Sequence, residues 1–299
     1  MELSNEPLFA YGTLKRDEIA FNCISAYVDH ISPGELSGYE IGIRDGLPVI
    51  FENTETSVKG EIIFPKKEYS NEFWRIINDY EESDLYQLKN LEVQSKNGSH
   101  RCGIYVGKRE KARGYFKLDN PEWMTKYDPY FAYSFPLLFD EINKIEKESY
   151  PADMYKQYWF YMNSLQEKYL LLTVILEHIA LLVIGTHSST GPNARINQLG
   201  QTSEWKQAFN KVKGTLGVTK IIVKDAKKLK DKFDNESPEN AIKAYYQVRS
   251  NLSHQGKSGG FEDCELMYFC LKDLSILIKE YLLLKVPNLQ DEWNKLAII

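Results

Sequence analysis

The sequence predicts an α+β protein with its two structural types segregated along the chain, mixed β with short helices first and an all-α bundle second. Three observations predict this. Up to Val106, β-branched runs recur between polar turns. From about residue 153, apolar residues follow the helical period. Between them, Leu118 to Pro151 breaks into aromatics and prolines. At 299 residues and 43% hydrophobic content, the chain is long enough for two ordinary cores. We read a first domain over 1–118, a junction over 119–150 and a helical domain over 151–299.

In chain order, Pro7 to Tyr11 is a short apolar strand running into Gly12, and 47–51 and 58–64 are β-branched runs separated by polar residues. Residues 72–80 place Phe73, Ile76, Ile77 and Tyr80 on one helical side. Segments 85–93 and 101–106 form a hairpin through the turn-forming Ser95-Lys96-Asn97-Gly98. The junction carries a helix at 137–148. Helices follow near 153–185, 203–214, 238–253 and 262–284, with a strand-like interruption at 219–223. Ser237-Pro238 opens the third of these, because serine caps free amides and proline gives up a hydrogen bond that would be missing anyway.

Composition excludes several classes. Cys23, Cys102, Cys264 and Cys270 are scattered with no C-x-x-C spacing, so neither a zinc site nor a disulfide framework is expected, and no cofactor or metal. The acidic, polar start Met1 to Glu6 is no secretion signal, which points to the cytoplasm. The apolar run Tyr169 to Gly185 contains Glu177 and His178 and is short for a bilayer, so it reads as a buried bundle helix and no membrane contact is expected. A net charge of −5 argues against a generally basic nucleic-acid coat. Locally, Lys206 to Lys232 holds nine lysines against Asp225 and Asp231. Such a patch suits a phosphate backbone, or equally a solvated helix face.

Two constellations carry chemistry. In Tyr11-Gly12-Thr13-Leu14, a strand ends at a glycine that lets the backbone approach a ligand closely, a cradle suited to a carboxylate or oxyanion. In the second, Tyr245 to Lys257, Arg249, Asn251 and His254 fall within six residues just ahead of Gly256. A cation, an orienting amide and an imidazole are what phosphodiester cleavage requires.

The first constellation belongs to a longer ordered set: Leu8 to Arg16, Gly38-Tyr39, Gly46-Leu47-Pro48, Val58 to Glu61, and Ile77 to Glu81 with Tyr86 five residues on. This set, over roughly residues 6–108, resembles the gamma-glutamylcyclotransferase-like (AIG2-like) family. The resemblance implies a small mixed β-barrel flanked by helices, Tyr11, Gly12, Thr13 and Leu14 lining a pocket for a small γ-glutamyl or related metabolite, and Glu81 as the acid/base residue. Two positions depart from the family pattern: Glu82 stands where a glycine usually follows the glutamate, and Arg16-Asp17-Glu18 replaces a basic-glycine ending.

The second constellation resembles the arginine, four spacers, histidine signature of HEPN domains, helical ribonucleases of toxin–antitoxin, antiphage and RNA-processing systems. The resemblance extends over about residues 153–286. It implies an RNA partner and metal-independent cleavage, with His254 as base or acid, Arg249 on the scissile phosphate and Asn251 as orienter. Residues five apart on a helix are rotated by about 140°, so pairing across a two-fold homodimer is the favoured way to unite Arg249 with His254.

Three readings follow. The first is a helical ribonuclease fused to a pocket domain that senses a metabolite or modifies an amine. The second is a γ-glutamylamine cyclotransferase releasing 5-oxoproline, with the bundle used for dimerisation. The third is a non-catalytic interaction protein.

Overall fold

The computed structural model describes residues 6–44, 46–81, 84–145, 155–185, 191–217, 220–223, 231–234, 237–255 and 261–296, with backbone alone at 155–159, 220–223, 231–234, 250–255 and 261–265. The chain divides into two compact units, Met1–Pro129 with Leu181–Thr190, and Tyr130–Ala180 with Gly191–Ile299.

The first unit is a closed mixed barrel. Strand β1 (Leu8–Ala10) pairs antiparallel with β3 (Leu47–Pro65) and parallel with β5 (Gly98–Gly107). Strand β4 (Tyr86–Ser95) lies between β5 and β2 (Val28–Arg44), and β2 returns to β3, so five strands close a ring. The short β6 (Tyr115–Lys117) extends the sheet beyond β2. Closure removes the unpaired edges that an open sheet must protect. Phe9, Ile41, Ile50, Val58, Ile62 and Trp123 fill the interior, each at most 2% exposed. Burying such a side chain contributes about 1.5–3 kcal/mol.

The expected N-terminal strands exist, with two differences. The runs at 47–51 and 58–64 belong to one continuous strand, β3, because both pair with β2 on either side of a register shift between Ser37 and Tyr39. Gly38, at φ +82°, occupies that irregularity. Strand β2 itself went unread, since Pro33, Gly34, Gly38 and Gly42 weaken its strand signal. Close packing explains two of these glycines. A Cβ on Gly34 would meet Ile62 at 2.8 Å and Val93 at 2.9 Å, and one on Gly42 would meet the Phe116 carbonyl at 2.2 Å.

Helix α1 (Ser70–Tyr80) buries Phe73, Trp74 and Ile77, while Arg75 bridges Glu72 and Asp79 on the solvent side. The hairpin β4–β5 turns through Ser95 to Gly98 as its sequence predicts.

The second unit is helical. Helix α2 (Phe135–Lys144) replaces the expected helix at 137–148, starting earlier because Pro136 fits the first turn. Helices α3 (Tyr155–Ile184), α4 (Pro192–Leu199), α5 (Ser203–Val212), α6 (Pro238–Gln255), α7 (Phe261–Lys285) and α8 (Leu289–Leu296) follow. The four long helices lie where periodicity predicts, whereas α4 and α8 are two-turn helices too short to show a period. The interruption at 219–223 is a strand, β7 (Lys220–Val223), paired with β8 (Asp231–Asp234). Within this unit Tyr169, Leu172, Ile175, Leu176 and Ile179 of α3 are buried, as expected of the apolar run. His178 is buried against Tyr130 and Phe131. Among the described residues, no helix is long and apolar enough to cross a membrane.

Candidate active site

The first unit contains a small, partly open cavity lined by the Tyr11–Leu14 loop, Pro48, Glu81, Tyr86, Tyr105 and Leu181. The barrel brings together five residues singled out in the sequence: Tyr11, Gly12, Thr13, Leu14 and Glu81.

The loop leaves β1 at Ala10 and turns through a bond from Lys15 N–H to the Gly12 carbonyl, 3.2 Å. Gly12 is required by close approach, since a Cβ there would lie 2.5 Å from Pro48 Cγ, a rigid ring atom. Beyond the loop, Lys15 pairs with Glu122 at 2.9 Å, Arg16 N–H donates to Glu61 at 2.6 Å, and Thr125 N–H donates to Glu18 at 2.7 Å. Asp17 sits at φ +64°. This is the left-handed conformation that glycine favours and aspartate tolerates, so the departure from the family's glycine keeps the turn.

The N–H groups of Gly12, Thr13 and Leu14 donate to no protein acceptor among the described residues. Three unengaged amides on a cavity wall form a donor cluster for a negative oxygen. The other wall is built from tyrosines whose hydroxyls are committed. Tyr11 donates to the Tyr105 carbonyl at 2.6 Å, Tyr86 to the Pro48 carbonyl at 3.0 Å and Tyr105 to Asn78 Oδ1 at 2.7 Å. Burial, reinforced by the nearby Glu81 charge, raises the Tyr11, Tyr80 and Tyr105 hydroxyls above the ordinary phenol range. These groups shape the site and stay protonated.

Glu81 follows the last turn of α1, its N–H bonded to the Ile77 carbonyl at 2.8 Å and its backbone already extended. Among the described residues its carboxyl has no hydrogen-bond partner. Partly exposed to the cavity but surrounded by aromatic rings, it has its pKa pushed up to about 8 by burial. A carboxyl so poised takes or gives a proton near neutrality. Glu82 lies outside the described residues.

Sequence reasoning missed the Tyr80 hydroxyl. It donates to the Leu182 carbonyl at 2.8 Å, so its 3.0 Å contact with Thr13 Oγ1 has the threonine as donor. Motif spacing singled out Glu81 and passed over its neighbour, because the partners of Tyr80 are set by tertiary folding.

In the second unit, the Arg249 guanidinium lies 3.5 Å from Glu177 and over the Tyr246 ring, whose hydroxyl donates to the same carboxylate at 2.6 Å. The backbone of α6 continues through Asn251 and His254. Their side chains lie outside the described residues.

Comparison with known proteins agrees with the barrel. Residues 8–125 match the family model described as gamma-glutamyl cyclotransferase, AIG2-like, so the N-terminal region carries a domain of that type. No curated protein matches the chain. Similar solved structures include an uncharacterized protein from Pyrococcus horikoshii, 19% identical, covering 40% of this chain and 90% of its own, with a TM-score of 0.32. An AIG2-like protein from Mus musculus is 20% identical over 40% of this chain and 88% of its own, TM-score 0.32. A protein from Arabidopsis thaliana is 19% identical over 50% of this chain and 93% of its own, TM-score 0.33.

Proposed function

We propose that the N-terminal cavity is a cyclotransferase site that converts a γ-glutamyl amide into 5-oxoproline and a free amine. The observation that carries this reading is the pairing of one carboxyl, titrating near neutrality, with three unengaged backbone amides on one small cavity. That is the minimum equipment for internal acyl transfer.

In the reaction, Glu81 as carboxylate removes a proton from the substrate α-ammonium. The freed amine attacks its own γ-carbonyl carbon, closing a five-membered ring. The negative charge that develops on the carbonyl oxygen is held by the N–H groups of Gly12, Thr13 and Leu14. The intermediate collapses by breaking the bond to the amide nitrogen, to which Glu81 returns the proton, and the second proton of the ring nitrogen passes to the departing amine, which leaves as an ammonium. No water is consumed and Glu81 ends as it began.

The ribonuclease reading gains no support. The family match ends at residue 125 and is silent on the helical region, and Arg249 is engaged by Glu177 and Tyr246. The cyclotransferase reading is tested with purified protein and γ-glutamyl amides, following 5-oxoproline release. Glu81→Gln should lower kcat/KM by about 10²–10⁴-fold with its circular dichroism unchanged. Equal turnover by Glu81→Gln and the native protein would refute the assignment of the proton shuttle.

A further inference from the structure

The cavity is not enclosed by the family-matched segment alone. Leu181, more than fifty positions past residue 125, is part of its wall, and Leu181 to Gly185 belong to the same compact unit as the barrel. These residues are the last turn of α3 and the glycine that ends it.

Three contacts hold that turn in place, and each has a physical cause. A helix ends with carbonyls that lack an internal donor. The Leu181 carbonyl is satisfied by Gly185 N–H at 2.9 Å, and the Leu182 carbonyl takes the Tyr80 hydroxyl at 2.8 Å. Leu182 itself is 1% exposed, and this part-buried bond fixes the height of the turn beside the cavity. Gly185 then leaves the helix at φ +93°, pressed on Tyr80 so closely that a Cβ would lie 2.8 Å from its ring and 3.2 Å from its Cα. The same Tyr80 accepts from Thr13 of the binding loop and precedes Glu81. One hydroxyl therefore ties together the helix end and the amide cradle, next to the proton shuttle.

We propose that Leu181, held by the Tyr80–Leu182 bond, is a size-limiting wall that restricts the site to γ-glutamyl amides of compact, uncharged amine substituents. This rests on the cyclotransferase reading above. The glutamyl part is common to all such substrates and is taken up by Glu81 and the loop amides, so discrimination falls on the amine. Leu181 offers it neither a donor nor a counter-charge. A second carboxylate would have to be desolvated against an apolar side chain with no compensating bond, and a long substituent would collide with that side chain, which is fixed in place. A compact alkyl group gains contact instead. Leu181 is thus a specificity residue, while Tyr80 and Gly185 position it.

The experiment compares native protein, Leu181→Ala and Leu181→Trp on γ-glutamyl methylamide, butylamide and hexylamide, with Glu81→Gln as the chemical control. Native kcat/KM should fall by at least 10-fold from methylamide to hexylamide. Leu181→Ala should recover about 10-fold on hexylamide, in line with the discrimination an apolar pocket achieves per few methylenes. Leu181→Trp should lose hexylamide turnover while retaining methylamide. Glu81-dependent turnover with the same size profile in all three proteins overturns the wall and leaves the reaction standing. If none of the amides is turned over, the reaction reading fails and the wall is judged separately by carboxyl NMR titration of Glu81. Leu181→Ser should then admit water and bring that titration down from about 8, and an unchanged titration overturns the wall.

Discussion

A carboxyl displaced by burial responds to pH differently from one held by a cation, and Glu81 is of the first kind. Its folded pKa of about 8 exceeds the unfolded value of about 4.3. Between these values the folded state binds more protons than the unfolded state, so the Glu81 contribution falls as pH rises through that window. Glu81→Gln should remove this loss. Thermal melts from pH 5 to 8 should show a shallower decline for the variant than for the native protein, and parallel curves would contradict it. Activity runs the other way, since the base must be ionised: kcat/KM should climb with pH toward a limb near 8. Gly12 gives a second residue-scale prediction. Gly12→Ala drives a methyl into the Pro48 ring, which should cost about 1–3 kcal/mol in denaturant melts and depress turnover by displacing the amide cradle.

Among the elements, α1 and the β2–β3 hairpin set the site's geometry. Helix α1 buries Phe73, Trp74 and Ile77 and so aims its C-terminus, Tyr80 and Glu81, at the loop after β1. Tyr80→Phe keeps the ring and deletes the hydroxyl that serves Leu182 and Thr13. Leaving a buried carbonyl unpaired should cost about 1–3 kcal/mol, read as a lowered denaturation midpoint with the fold retained. In the barrel core, Ile62→Ala should cost about 2–5 kcal/mol, since Ile62 is fully buried and contacts the space that Gly34 leaves open. Both strands of the β4–β5 hairpin and α1 were legible because their apolar periods are local. Strand β2 was not, because its signal lies in glycines whose purpose is to let Ile62, Val93 and the β6 backbone approach. That purpose is invisible until the partners are paired.

Across the whole molecule, what the sequence disclosed depends on the range over which residues cooperate. Tyr11 to Leu14 and Glu81 could be named because a glycine at a strand end and a carboxylate beside a helix end are local patterns in a recognisable order. The Tyr80–Leu182 bond joins residues 102 positions apart, and Leu182 belongs to no motif, so the third wall of the cavity emerged only from the fold. The helical constellation shows the converse. Its spacing was conspicuous in sequence, yet the described part of it, Arg249, is occupied by an ion pair with Glu177. Arg249→Ala should accordingly leave release of 5-oxoproline unchanged while Glu81→Gln suppresses it. The most direct measurement is therefore the yield of 5-oxoproline from γ-glutamyl methylamide with native protein, Arg249→Ala and Glu81→Gln side by side. Equal release by the first two and loss in the third are expected; release that survives in Glu81→Gln, or is absent from the native protein, would refute a Glu81-dependent cyclotransferase.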